Sequence, residues 1–110
     1  MKVIILARVS TEEQDSNAQL VRLRKYCESI SYFTSSEVFD FDESAYKENR
    51  VKFGQVLEVI KSSKDRIALC CDKVDRLTRN FGEELVQIER LRASGKLEMH
   101  FPSDGIVIDE

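Results

Sequence analysis

The sequence predicts an α/β domain with a mainly parallel sheet. Two observations carry this. Short, continuous apolar runs alternate with segments of helical period, in the order β-α-β-α-β-α-β. Gly and Pro are also scarce, at four and one in 110 residues, which argues against a loop-rich scaffold. Val3-Ile4-Ile5-Leu6 is a β-branched run suited to a strand covered on both faces. Leu20, Leu23, Cys27 and Ile30 recur at helical spacing from about Glu13 to Ile30. Val38, Phe39 and Phe41 suggest a second strand, and the acidic segment from Glu37 to Glu48 reads as a solvated strand end and loop. Phe53, Val56, Leu57 and Ile60 fall at i, i+3, i+4 and i+7, one face of an amphipathic helix. Ile67 to Cys71 reads as a third buried strand. Phe81, Leu85, Ile88 and Leu91 form another helical stripe, with Gly95 as its stop. Leu97, Met99 and Phe101 alternate as a last strand.

Composition bounds the function. Apolar residues make up 42% and charged residues 34%, an ordinary globular balance that implies one domain. The net charge of -3 argues against DNA gripping by this segment alone, since phosphate neutralisation supplies most nucleic-acid affinity. It leaves room for a local arginine cluster. Cys27, Cys70 and Cys71 show no metal or disulfide spacing and read as small core residues in a reducing compartment. The apolar run at the N-terminus is too short for a signal peptide or a membrane span. A cytoplasmic location with no membrane partner is the expectation.

Fold logic places the site. In open α/β sheets, ligands bind beyond the carboxyl ends of the strands. Arg8-Val9-Ser10-Thr11 follows strand one, and Asp72-Lys73-Val74-Asp75-Arg76-Leu77-Thr78-Arg79 follows strand three. Right-handed crossovers bring both ends to one edge. Two readings of Ser10 stand side by side. Ser10-Thr11-Glu12-Glu13 is a capping box, and Thr11 to Gln14 is a second. If Thr11 caps the helix, Ser10 faces the anion-binding helix start. Arg8 needs a partner, either a carboxylate such as Asp75 or a phosphate. Arg76 and Arg79, three apart, can pair with Glu83 or fork onto phosphate oxygens. The only histidine, His100, lies at the far end of the last strand and reads as structural, so a Ser-His pair is not expected. Asp40, Asp42 and Glu43 could hold magnesium but suit a polar strand end. No Gly-rich phosphate loop is present.

Ala7-Arg8-Val9-Ser10-Thr11-Glu12-Glu13-Gln14 resembles the Y-A-R-V-S-T-x-x-Q signature of serine recombinases, the resolvase and invertase family. Lys73-Val74-Asp75-Arg76-Leu77-Thr78-Arg79 resembles its K-L-D-R-L-x-R motif. Ser103-Asp104-Gly105 is similar to the segment before that family's long oligomerisation helix. The K-V-D-R-L-T-R-N run, followed by an amphipathic helix, looks most like the large serine recombinases of phages and transposons. The resemblance implies a three-layer resolvase-like catalytic domain over residues 1–110, with a four- to five-stranded sheet flanked by helices. It implies that the oligomerisation helix and DNA-binding domains lie beyond this segment.

By the same resemblance, Ser10 is the nucleophile that forms a 5′-phosphoserine link to DNA. Arg8, Arg76 and Arg79 bind the scissile phosphate, and Asp75 orients an arginine or takes part in proton transfer. Gln14, Gln19, Lys73 and Arg50 are auxiliary, with Arg50 in a loop ahead of the second helix. No cofactor or metal is implied. The implied partners are double-stranded DNA and further copies of the protein, as dimers that assemble to tetramers. Two departures are visible: Leu6 stands where the family usually has Tyr, and the loop Asp42 to Arg50 lacks its usual glycines. The competing class is a non-catalytic phosphate-binding or interaction module, in which Ser10 is only a cap.

Overall fold

The computed structural model describes the backbone of residues 1–9, 15–42, 46–74, 77 and 84–108, and the side chains of these except 8–9, 15–17, 40–42 and 46–49. Its elements run β1 (Lys2–Val9), α1 (Asp15–Ser29), β2 (Ser35–Asp42), α2 (Tyr46–Ser62), β3 (Ile67–Cys71), α3 (Glu84–Ala93), β4 (Leu97–Phe101), a 3-10 turn (Pro102–Asp104) and β5 (Ile106–Ile108). One five-stranded sheet has the order β2-β1-β3-β4-β5. β1 is parallel to both β2 and β3, β3 is parallel to β4, and only β5 is antiparallel.

Alternation along the strands divides the interior into two cores, one on each face of the sheet. Ile4 and Leu6 of β1, Ile67, Leu69 and Cys71 of β3, and Leu97, Met99 and Phe101 of β4 point to the larger core. There they meet Phe53, Val56, Leu57 and Ile60 of α2 and Ile88 of α3. Val3, Ile5, Ala68 and Cys70 point the other way, against Leu23 and Cys27 of α1. Strands covered on both faces have no polar side to alternate with, so β1 and β3 read as unbroken apolar runs.

α2 buries the four residues that its period selects. It begins earlier than the apolar pattern indicates, however: Tyr46 to Arg50 form its first turns. This shortens the supposed acidic loop and moves Arg50 from a loop into a helix. Lys47, Glu48 and Arg50 favour helix by propensity while contributing nothing to an apolar stripe, so periodicity does not detect them.

The end of α3 follows the sequence closely. Gly95 adopts φ +84. The Gly95 N–H donates to the Arg92 carbonyl and the Lys96 N–H to the Leu91 carbonyl, at 3.0 and 3.1 Å. This pair of bonds satisfies the last carbonyls of the helix and needs a residue tolerant of positive φ. β5 is an addition to the four strands that periodicity finds. It is three residues long, and Ile106 and Val107 are exposed. Among the described residues, no helix is long and apolar enough to cross a membrane.

Candidate active site at the β1/β3 edge

The crossovers define one special point on the sheet. α1 carries the chain from β1 to β2 across one face, and α2 returns it to β3 across the other. Connections from the central pair thus diverge at the β1/β3 boundary. The carboxyl edge there is a topological switch point, where this class of sheet opens a crevice. The register pairs Leu6 with Cys71, so β1 and β3 leave the sheet side by side, about 4.8 Å apart.

The two motif segments depart from this pair of strands. β1 ends at Val9, the residue before Ser10. β3 ends at Cys71, and Asp72, Lys73 and Val74 follow. Leu77 is buried in the larger core at 1% exposure. Positions 75 and 76 themselves lie outside the described residues.

Asp72 is the most constrained group in the region. Its residue is 1% exposed. Oδ2 accepts from Arg22 Nη2 at 3.1 Å, and Oδ1 accepts from Ser103 Oγ at 2.5 Å. The Ser103 N–H donates to the Asp72 carbonyl at 3.1 Å. Two residues on, the Val74 N–H donates to Asp104 Oδ2 at 2.8 Å. A buried carboxylate is tolerated only with such partners, and removing one from a buried pair typically costs about 3–5 kcal/mol. Sequence reading passed over this cluster. The available signal was an acid placed directly after five buried apolar residues, where an unpaired charge could not remain.

The other site residues fall as follows. Gln19 is 2% exposed on α1. It sits one turn, about 6 Å, before Leu23 on the sheet-facing stripe. Lys73 is exposed beyond β3, and its carbonyl accepts from the Cys71 thiol at 3.6 Å. Arg50 lies in α2, where its Nε donates to Glu84 Oε1 at 2.9 Å. That contact is exposed and bridges the surfaces of α2 and α3. Arg8 is in β1, with its side chain outside the described residues. Ser10, Gln14, Asp75, Arg76 and Arg79 also lie outside them, as do the side chains of Asp40 and Asp42 and the whole of Glu43.

His100 is 1% exposed on the α1 side of β4. Its Nδ1 meets Tyr26 Oη at 2.6 Å and its Nε2 meets Glu98 Oε2 at 2.5 Å. Glu98 also accepts from Tyr32 Oη at 3.1 Å and lies 3.4 Å from Arg66 Nε. Both ring nitrogens are thus engaged in an interior network that joins α1 to the sheet. Burial, with the nearby thiols of Cys70 and Cys27 and the Glu98 carboxylate, pushes the Tyr26 phenol above its ordinary value. The Sγ atoms of Cys27 and Cys70 are 3.8 Å apart. That contact and burial hold the Cys70 thiol far above the usual range. Among the described residues, no group of three or more His, Cys, Asp or Glu side chains could hold a metal ion.

Comparison with known proteins agrees with this architecture. The family model described as Resolvase, N terminal domain matches residues 3–110. Among solved structures, the N-terminal catalytic domain of TP901-1 integrase is similar with a TM-score of 0.71 and 22% identity. That match covers 100% of this chain and 83% of the other. At this identity it establishes the fold, a mainly parallel five-stranded sheet with helices on both faces. No curated protein matches the chain.

Proposed function

The chain belongs to the resolvase N-terminal domain family, and on that premise we propose that it is the catalytic domain of a serine-type site-specific DNA recombinase. Ser10 is the nucleophile. Its Oγ attacks the phosphorus of a DNA phosphodiester, a Ser–O–P bond forms to the 5′ phosphate, and the 3′ oxygen leaves with a proton. Rejoining is the reverse: a 3′ hydroxyl attacks the phosphoserine, and Ser10 is released. One phosphoester is exchanged for another of similar energy at each step, so the scheme draws on no nucleotide cofactor.

Arg8, Arg76 and Arg79 supply positive charge to the phosphate. A guanidinium fork pairs with two phosphate oxygens and is pre-oriented to meet the charge that builds in the transition state. Asp75 orients one of these arginines or passes the proton to the leaving oxygen. Gln14, Gln19, Lys73 and Arg50 are auxiliary contacts of the phosphate and the nucleophile segment. Arg50 serves in this role only on release from Glu84.

The observation that supports this reading is the departure of both motif segments from adjacent strands at the switch point. Ser10 follows β1 directly, while Asp75 and Arg76 are bracketed by Val74 and Leu77. Residues 1–110 act as one module of a longer protein that binds double-stranded DNA as a dimer and exchanges strands as a tetramer. The three free cysteines suit a cytoplasmic setting.

The test uses the full-length protein with a duplex carrying its crossover site. Ser10→Ala should abolish cleavage while leaving DNA affinity within about threefold. Arg76→Ala should slow cleavage by a factor of about 10²–10³, the usual loss for one preorganised charge donor. Chelator should leave the wild-type cleavage rate unchanged. Full cleavage by the Ser10→Ala protein would overturn the proposal.

A further inference from the structure

The proposed chemistry leaves one buried charge at this edge without a role. Among the described residues, the surroundings of Asp72 are built from three parts of the fold. Arg22 comes from α1, Ser103 from the 3-10 turn after β4, and Asp72 itself from the end of β3. Three of the bonds run from that single turn to residues 72–74. The Ser103 hydroxyl meets the Asp72 carboxylate, the Ser103 amide meets the Asp72 carbonyl, and Asp104 accepts the Val74 amide. A carboxylate kept only for stability would need its own side chain satisfied. Here the main chain is held as well, at a carbonyl and at an amide two residues on. Leu77, three residues beyond Val74 in the chain, is buried at 1% exposure.

We propose that Asp72, clasped by Ser103 and Asp104, is a positioning residue that sets where the Asp75-Arg76 segment leaves the sheet. It acts through that segment and not on the DNA itself, and it rests on the recombinase reading above. Arg22 completes the neutralisation of the carboxylate from α1, so the clasp also ties the helix after Ser10 to the segment after β3. A displacement of about 1 Å in such a positioned group can cost about 10²-fold in rate.

The test compares Asp72→Asn, Ser103→Ala, Asp104→Ala and Ser103→Thr in the full-length protein. The probe is a nicked duplex carrying its crossover site. Single-turnover cleavage at saturating DNA is read beside DNA affinity, and amide exchange at Val74 is read in the folded protein. Ser103→Ala and Asp104→Ala should slow cleavage about 10- to 100-fold with affinity within about threefold. Exchange at Val74 should rise in Asp104→Ala, and Ser103→Thr, which keeps the hydroxyl, should recover most of the rate. Should Asp72→Asn fail to fold, the two turn variants carry the test. Wild-type cleavage through Ser10 together with undiminished rates in both turn variants would overturn the clasp alone. Absence of any Ser10-dependent cleavage in the wild type would overturn the recombinase reading and the clasp's role with it.

Discussion

Phe53→Ala should lower stability by about 3–5 kcal/mol, the usual cost of emptying a fully buried aromatic site. Phe53 is 0% exposed and sits in the larger core with Val56, Leu57 and Ile60 of its own helix. The loss combines the transfer term with a cavity that β-strand neighbours on a paired sheet cannot move to fill. A domain of this size is stable by about 5–15 kcal/mol, so one substitution removes about a fifth or more. With an unfolding entropy of about 2.1 cal/mol/K per residue, the 110 residues give about 0.23 kcal/mol/K. The melting midpoint should therefore fall by about 13–22 °C. Val51→Ala on the same helix is the control: Val51 is 65% exposed, and its midpoint should move by no more than about 2 °C. Calorimetry of both variants settles the matter. Equal shifts, or a Phe53→Ala shift under about 4 °C, would show that α2 does not pack by the face its periodicity selects.

Three further outcomes follow from the interior. Burial favours the protonated Tyr26 phenol in the folded state. Its stabilisation is complete below the ordinary tyrosine value and is lost as pH rises through the raised one. The melting midpoint of the wild type should thus fall more steeply above about pH 10 than that of Tyr26→Phe, and parallel curves would refute the assignment. Cys27 lines a surface cleft with Arg24 and Glu28, and the contact with Cys70 lowers its pKa. Iodoacetamide on the folded protein should therefore label Cys27 before Cys70, which is fully buried, as peptide mass spectrometry would report. Arg50→Ala should cost under about 1 kcal/mol in chemical denaturation, because its pair with Glu84 is 45% exposed on the arginine side and screened by solvent. A larger loss would make that pair a structural tie between α2 and α3.

Local pattern disclosed what depends on local chemistry. The β1 and β3 runs are buried on both faces, the α2 stripe matches its core residues, and Gly95 ends α3 at positive φ. Position 50 was misplaced because a polar first turn carries helix propensity without periodicity. β5 escaped because three residues, two of them exposed, cannot display alternation. The Asp72 clasp was illegible for a different reason. It joins residues 31 positions apart through a turn whose conformation depends on β4 being in place. At the site, right-handed crossovers alone bring the carboxyl ends of β1 and β3 to one sheet edge, and the register pairs those strands. The partners of Asp72 could not be read in this way, since nothing in its own neighbourhood in the sequence names Ser103 or Arg22.

The claim on which the rest stands is covalent. Full-length protein incubated with a nicked crossover duplex, quenched in denaturant and digested, should yield one peptide carrying a nucleotide mass, and fragmentation should place that mass on Ser10. A duplex cut without any attached peptide, or an attachment at another residue such as Thr11, would contradict the account.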